Sequence, residues 1–231
     1  VTVTPCQPGS DSADRVAVQL RGAVLAVVAP REGGVFDLFG DRNGDAVDVR
    51  VDVPSGTVVS ASTFSAHVVV HGRIGDADLA AGSADISVEQ VDGGLRLRIG
   101  SGDCEVSRVT GSVQTRSGSG TARFGRVDGA LTCGCGSGDL IVQEVHGPVR
   151  SRAGSGCASL DAVYGDVDLA SGSGAMSIGL PTGRPARLDV TTHSGRVDSD
   201  LPIENVATSE GTPISVRART GSGDIRLFRA A

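Results

Sequence analysis

The feature that most constrains the fold is a strict repeat of 18 residues. Gly-Ser-Gly or a close variant begins at seven positions with this spacing: Phe64, Gly82, Gly100, Gly118, Gly136, Gly154 and Gly172. A second glycine recurs at the same interval, at Gly75, Gly93, Gly111, Gly129, Gly147, Gly165 and Gly183. Identical residues at identical offsets are typical of an architecture in which one structural unit is stacked on the next.

The residues between the glycines alternate between apolar and polar side chains. Apolar residues fall two apart after Gly-Ser-Gly, as at Leu140 and Val142, and again after the mid-repeat glycine. An alternation with a period of two is typical of a strand with one buried face. Each unit therefore holds two short strands that meet at corners, where glycine allows a positive φ or a close backbone approach.

Strands with one apolar face can bury it by stacking on copies of themselves. We therefore predict an all-β fold, a β-solenoid of the parallel β-helix kind, with two strands in each 18-residue turn and an N-terminal β cap. Equivalent side chains of successive turns, such as Val106, Phe124 and Val142, should form a buried column. An antiparallel sandwich also has short strands and frequent glycines, but it does not require the same residue at the same offset.

The predicted domain organisation is one continuous β domain. Residues 1–10 are a flexible N-terminus, residues 11–60 are the N-terminal β cap with the leading strands, and residues 61–231 are the solenoid. Within the cap, Asn43 and Gly44 form a pair that is typical of a two-residue hairpin loop.

The repeat becomes irregular over residues 181–220. The last two copies, at His193 and Gly221, follow gaps of 21 and 28 residues instead of 18. Proline cannot donate a hydrogen bond to a sheet ladder, so the prolines of this segment predict loops or edge positions. They are Pro181, Pro185, Pro202 and Pro213.

Charge and hydropathy disfavour two classes of partner. The formal net charge is −6, so we expect no nucleic-acid partner and no bulk attraction to anionic membranes. No apolar run reaches the length of a transmembrane helix. The first residues do not have the pattern of a signal peptide. We expect a cytoplasmic protein if Val1 is the true start, and otherwise a protein of the cell envelope or a secreted one.

The glycine and serine pattern does not predict a phosphate loop or a nucleophile. Each Gly-Ser-Gly leads into a strand, whereas phosphate-binding loops open a helix, and the chain has no lysine. The recurring serines are interpreted as corner residues whose hydroxyls satisfy backbone groups, since no recurring histidine accompanies them as a base. They are Ser83, Ser101, Ser119, Ser137, Ser155 and Ser173.

Neither a metal site nor a cofactor is predicted. A calcium-binding β-roll needs an aspartate in each nine-residue half turn, whereas here one follows Gly-Ser-Gly at most once per turn, at Asp85, Asp103, Asp139 and Asp224. Of the five cysteines, Cys104 and Cys133 are expected to be small core residues, because they replace apolar or small residues of other turns. The dispersed histidines, at 67, 71, 146 and 193, are expected to be solvated turn residues.

One group of charged residues is a candidate partner-binding patch. Five arginines occupy two outward offsets of the second strand in the repeat: Arg96, Arg98, Arg116, Arg150 and Arg152. Four aspartates should bracket them on the same face: Asp76, Asp78, Asp166 and Asp168. Two interpretations are open, a solvated face of mixed charge or a contact for an anionic polymer or for the carboxylates of a protein partner.

The repeat SGSGDLxVxxVxGxVxxxxGSG resembles the bacterial adhesin-like β-strand repeat family, whose domains largely have no assigned function. The likeness covers residues 46–230 and includes VDVRVDVPSGTVVSASTFSAHVVV and the terminal RARTGSGDIRLF. The resemblance implies an all-β, solenoid-like bacterial domain that is sometimes tied to the cell envelope. It brings no catalytic residues to carry over.

The function expected from these observations is a non-catalytic structural or interaction scaffold that binds a protein or polymer partner. End-to-end association of copies is a further expectation, because solenoid ends expose sheet edges. The alternative is an enzyme acting on polysaccharide as a lyase or hydrolase, which would require convergent carboxylates or arginines on one face. Asp166, Asp168, Arg150 and Arg152 are the candidate group for that alternative.

Overall fold

The structure is a computed structural model, and it describes four stretches of the chain: residues 1–6, 13–28, 47–201 and 213–230. In these stretches every secondary-structure element is a β-strand, which confirms the all-β prediction. The chain forms two compact units, Val1–Pro54 and Ser55–Ala231. The predicted hairpin loop at Asn43 and Gly44 and the proline at 202 lie outside the described residues.

The first unit contains two antiparallel strand pairs in its described part. Strand β1 (Thr2–Pro5) pairs with β4 (Val47–Arg50), and β2 (Ala17–Arg21) pairs with β3 (Val24–Val28). The loop between β2 and β3 begins at Gly22, whose φ of 59° lies in the left-handed region that glycine adopts without strain. The role of this unit as a cap for the solenoid stays a prediction.

In its described residues, the second unit consists of two parallel sheets of nine strands each. In spatial order, sheet I consists of β5 (Val59–Thr63), β7 (Ala77–Ala81), β9 (Leu95–Ser101), β11 (Val113–Ser119), β13 (Leu131–Cys135), β15 (Val149–Ala153), β17 (Val167–Ser173), β21 (Ile214–Ser222) and β19 (Ala186–Ser194). In the same order, sheet II consists of β6 (Val68–Ile74), β8 (Ile86–Val91), β10 (Cys104–Val109), β12 (Ala122–Val127), β14 (Leu140–Val145), β16 (Ala158–Val163), β18 (Met176–Leu180), β22 (Ile225–Arg229) and β20 (Val197–Ser199).

Each turn of the chain contributes one strand to each sheet, and the next turn stacks on it 18 residues later. Val106 lies opposite Phe124, and Phe124 lies opposite Val142. All three side chains are buried, at 1% relative exposure, so the predicted column exists. The apolar alternation of the sequence thus places one face of each sheet in a common core, and the β-solenoid prediction is confirmed.

The corners are close-packed backbone, and this explains the glycines. A Cβ atom at Gly129 would meet the carbonyl group of Gly111 in the preceding turn, and one at Gly147 would meet that of Gly129. Neither glycine has a positive φ. The corner glycines are therefore required here because successive turns approach each other closely, and not because of the backbone conformation.

The last two turns are stacked in the reverse of their chain order. Strands β21 and β22, at the C-terminal end, lie between β17–β18 on one side and β19–β20 on the other. Gly221 accordingly lies over Gly172, 49 residues earlier, and Gly195 lies over Gly223. Spacing alone did not predict this order, because a gap in a repeat does not say which turn fills which position.

Candidate functional site

The five predicted arginines all lie on the outward face of sheet I. Two adjacent columns of side chains run across this face, and we call them the arginine face. The first column includes Arg96 and Arg150, and the second includes Arg98, Arg116 and Arg152. Thr132 and Gly134 occupy the two columns on β13, so the arginines form two groups and not one continuous row.

Two further arginines on this face were missed by the sequence analysis. Arg217 and Arg219 lie on β21, with Arg217 in register with Asp168 and Arg219 in register with Ala170. A sequence signal was available, because Arg-Ala-Arg at 217–219 has the spacing of Arg-Leu-Arg at 96–98 and Arg-Ser-Arg at 150–152. The irregular gap before this turn hid its offset from a search at 18-residue steps.

The two arginines of each Arg-x-Arg segment on this face both form ion pairs with one aspartate of a neighbouring strand. The Nη2 atom of Arg98 lies 2.8 Å from Oδ1 of Asp78, and Nη2 of Arg152 lies 2.7 Å from Oδ2 of Asp168. Asp189 likewise lies within 3.2 Å of Arg217 and 3.0 Å of Arg219. The hydrogen bond from Arg152 holds the pKa of Asp168 below its usual range.

The four bracketing aspartates divide into two kinds. Asp78 and Asp168 lie on the arginine face as predicted. Asp76 and Asp166 instead accept hydrogen bonds at a corner, from the backbone N–H of Gly94 at 2.7 Å and of Ser215 at 2.9 Å. The position of an aspartate in the turn decides whether it pairs with arginine or with backbone, since a carboxylate at the corner faces a backbone N–H of the adjacent turn.

The arginine face keeps an excess of positive charge after this pairing. In its two columns, seven arginines and three aspartates leave four positive charges. The guanidinium group of Arg116 has no ion pair or hydrogen bond to any part of the chain that the structure describes. Its neighbour in the first column is Gln114, where the other Arg-x-Arg strands carry an arginine. The unpaired guanidinium of Arg116 therefore lies beside the ion pair of Arg98 and Asp78.

A groove of about 670 Å³ opens beside Arg98 and Arg116. Apart from Ile99, small residues line the rest of it, among them Ser62, Ala80, Gly82, Gly100 and Gly118. Two guanidinium groups beside a surface of mostly small side chains offer several N–H donors to one anionic group. This groove is the part of the arginine face best suited to hold an anion.

The outward face of sheet II has a different arrangement of charge. Its charged groups form separate ion pairs and one chain of contacts, in which Arg126 contacts both Asp128, at 2.7 Å, and Glu144, at 3.1 Å. Glu144 also contacts His146 at 2.8 Å, and the His146 ring stacks on Tyr164 with centroids 4.6 Å apart. These groups satisfy one another across successive turns.

The aspartates after Gly-Ser-Gly also serve the backbone. Asp85 accepts a hydrogen bond from the N–H of Asp103, and Asp103 accepts one from the N–H of Thr121, at 2.9 and 2.8 Å. That bond from Thr121 lowers the pKa of Asp103. Within the described stretches, no three His, Cys, Asp or Glu side chains are grouped as a metal site requires.

The recurring serines, in contrast, do not satisfy the corners with their hydroxyls as expected. The side chains are exposed, and the main chain makes the corner bonds, such as Ser155 N–H to the carbonyl of Gly136 at 2.9 Å.

Comparison with known proteins adds no relationship to this picture. No protein-family model matches the chain, and no curated protein and no solved structure is significantly similar to it. The resemblance to the adhesin-like repeat family therefore stays an expectation. In the described residues there is no helical segment with the length and apolarity that would let it cross a bilayer.

Proposed function

We propose that this protein is a non-catalytic interaction scaffold that binds an anionic polymer along the arginine face of sheet I. The observation that carries the proposal is the excess of four positive charges on a surface of hydrogen-bonded parallel strands. The overall charge of −6 makes this face an exception on an otherwise acidic molecule. A local positive surface of this kind can attract a polyanion although the net charge of the protein is negative.

The spacing of the arginines favours a polymer over a small anion. Arg98, Arg116, Arg152 and Arg219 lie in one column, on the first, second, fourth and sixth of six successive strands. Neighbouring strands are about 4.8 Å apart, so these cations extend over about 24 Å. An extended chain with recurring anionic groups can contact several of them at once, whereas a small anion contacts one group.

The rigidity of the face supports binding by weak contacts. The strands that carry these arginines are paired on both sides, so their main chain does not have to be ordered when a partner binds. Asp78 and Asp168 also hold four of the arginine side chains in place. A polymer would therefore meet a preformed array, with Arg116 and the groove beside it as the strongest anion site.

The test compares two double variants with the same change in charge. Arg98→Ala with Arg116→Ala removes the cations of the groove, and Arg123→Ala with Arg226→Ala removes two ion-paired arginines from sheet II. Binding to dextran sulfate is measured by calorimetry at low and moderate salt, with uncharged dextran as a negative control. We expect the groove variant to lose at least tenfold in affinity, and the sheet II variant to lose less than twofold.

Equal losses of affinity in the two variants would overturn the proposal, because they would show that binding depends on the net charge and not on the arginine face. Binding that does not weaken with salt would do the same, since exposed charges are screened by ions.

The polysaccharide-acting enzyme remains an untested alternative, and the structure gives it no supporting observation. Asp168 is held by Arg150 and Arg152, and Asp166 accepts a backbone hydrogen bond. End-to-end association of copies also stays a prediction.

A further inference from the structure

The core of sheet I contains a cluster of small polar side chains among its aliphatic residues. On β13, Cys133 and Cys135 both point inward and are buried, at 2% and 8% exposure. On the neighbouring strand β11, Thr115 lies in register with Cys133, and Ser117 with Cys135. Ser151 follows Cys133 on the other side. Apart from Thr115 and Ser151, leucine, valine or alanine fills the position of Cys133 in the other turns, whereas serine or threonine also fills the position of Cys135 in several of them.

The two thiols of β13 are close enough to interact directly. Their Sγ atoms lie 3.1 Å apart, and no disulfide joins them. The thiol–thiol hydrogen bond raises the pKa of Cys133 and lowers the pKa of Cys135. Cys104, which is buried without such a partner, has its pKa raised to about 12 by burial. Cys135 is also the less deeply buried of the two thiols, and we take it as the attacking one.

The residue between the two cysteines is a glycine that packing does not require. A Cβ atom at Gly134 would find only the Cγ atom of Arg116, at 4.0 Å, whereas one at a corner glycine such as Gly111 would meet the backbone of the turn below. Arginine occupies the equivalent position on both neighbouring strands. What glycine provides at this point is backbone freedom in the middle of a strand.

That freedom matters for bond formation between the cysteines. Residues two apart on a strand have Cα atoms about 6.6 Å apart, close to the upper limit of about 6.8 Å for a disulfide. The Sγ atoms must also approach from 3.1 Å to the bond length of about 2.05 Å, and a slight shortening of the strand at Gly134 would bring them together. The residues in register with the cysteines, Thr115, Ser117, Ser151 and Ala153, are all small, so a local movement meets no large side chain.

Two unsatisfied hydroxyls mark the same place. The Oγ1 atom of Thr115 and the Oγ atom of Ser117 are buried and have no hydrogen-bond partner among the described residues. An unsatisfied buried hydroxyl costs about 1–3 kcal/mol, so aliphatic residues would be more stable at these positions if they served packing alone. Hydroxyls beside a thiol can instead donate to a thiolate. Ser117 also lines the groove on sheet I, and Cys135 lies in register with Ser117 on the next strand. The cluster is therefore one strand away from a groove that is open to solvent.

We propose that Cys133, Gly134 and Cys135 form a redox site in which the two thiols close reversibly into a disulfide, with hydrogen peroxide as oxidant. The Cys135 thiolate attacks one oxygen of the peroxide, the O–O bond breaks, and Cys135 becomes a sulfenic acid as hydroxide leaves. The thiol of Cys133 then attacks the Cys135 sulfur. The S–S bond forms, the S–O bond breaks and water leaves with the proton of Cys133. Both cysteines are oxidised by one electron each, and the peroxide is reduced.

Such a disulfide would be easy to reduce. A bond near the geometric limit stores strain, and strained disulfides have the more oxidising potentials of labile bonds. The site would thus cycle between dithiol and disulfide and not lock the fold permanently. This proposal does not depend on the proposed polymer binding.

The first experiment uses the full chain with Cys6→Ser and Cys157→Ser, which removes the two exposed cysteines. After treatment with stoichiometric hydrogen peroxide, we expect an intact mass lower by two hydrogen atoms. Peptide mapping should place the bond between Cys133 and Cys135, with Cys104 still alkylated after denaturation. Dithiothreitol should restore the original mass. A protein that gains oxygen and forms no bridge, or that oxidises Cys104 equally fast, would overturn the proposal.

The second experiment tests the separate roles on the same background. Cys133→Ser should stop at a sulfenic acid on Cys135 that dimedone traps, and Cys135→Ser should give neither product. Gly134→Ala should keep the circular dichroism spectrum and slow disulfide closure at least tenfold. Gly94→Ala is the matched control, because it also changes a glycine with room for a Cβ but lies away from the cysteines. Closure at an unchanged rate in Gly134→Ala would refute the role given to the glycine.

Discussion

Replacing Gly129 with alanine tests whether successive turns are stacked in the register described here. The new methyl group would lie 2.8 Å from the backbone nitrogen of Ser112 and closer still to the carbonyl group of Gly111. Ordinary contacts of a Cβ atom begin near 3.4 Å. The backbone of one turn must therefore move away from the other, and both turns are held by ladder hydrogen bonds.

The expected cost is large for a change of one methyl group. Forcing extra volume into packed structure costs about 1–3 kcal/mol, and we expect the upper end because backbone and not a side-chain tip must yield. For a unit of this size, each kcal/mol lowers the unfolding temperature by about 2–4 °C, so Gly129→Ala should lower it by about 6–12 °C. Urea and thermal unfolding followed by circular dichroism measure both quantities.

The matched control is Gly94→Ala, one residue away from the corner glycine of its own turn. Its Cβ would have the Oδ1 atom of Asp76 as its nearest neighbour, at an ordinary 3.6 Å. Gly94 has no positive φ, so alanine there restricts the unfolded chain and should stabilise by up to about 1 kcal/mol. If the two variants were equally stable, the corner stacking described here would be incorrect.

Two more predictions concern the core and the carboxylates. Phe124→Ala should lower the free energy of unfolding by about 3–5 kcal/mol, because Phe124 is the largest fully buried side chain in the described stretches, and Phe124→Leu should lose much less, as urea titration can show. The folded-state pKa values of Asp103, which accepts from Thr121, and Asp168, which accepts from Arg152, are lowered. Their stabilisation is thus present above about pH 4 and lost as pH falls through the folded-state pKa, and Asp103→Asn should flatten that loss in urea titrations from pH 7 to pH 3. An unchanged acid response in Asp103→Asn would contradict the cause assigned to the shift.

The sequence was sufficient for the fold because the repeat encodes contacts between turns directly. An 18-residue step with a period of two decides which side chains lie over each other, and Val106, Phe124 and Val142 do so. The same parity placed all five predicted arginines on one face. The alternation did not distinguish Asp76, which lies at a corner, from Asp78, which lies on the arginine face. The corner aspartate binds a backbone N–H of the adjacent turn, and the alternation does not show where that N–H lies.

Other features depend on contacts that no spacing encodes. The partners of each arginine follow from rotamers that bridge adjacent strands, as with Arg98 and Asp78. The proximity of Cys133 and Cys135 was visible in their shared strand face, but the unsatisfied hydroxyls beside them appear only when β11 is stacked on β13.

The reversed order of the last two turns has a consequence for how the molecule is made. A chain is synthesised from its N-terminal end, so β19 and β20 are made before β21 and β22. At that time the neighbours that β19 and β20 have in the finished protein do not yet exist, and β17 and β18 expose their free edges. This part of the solenoid can therefore be completed only when β21 and β22 enter between two segments that are already present.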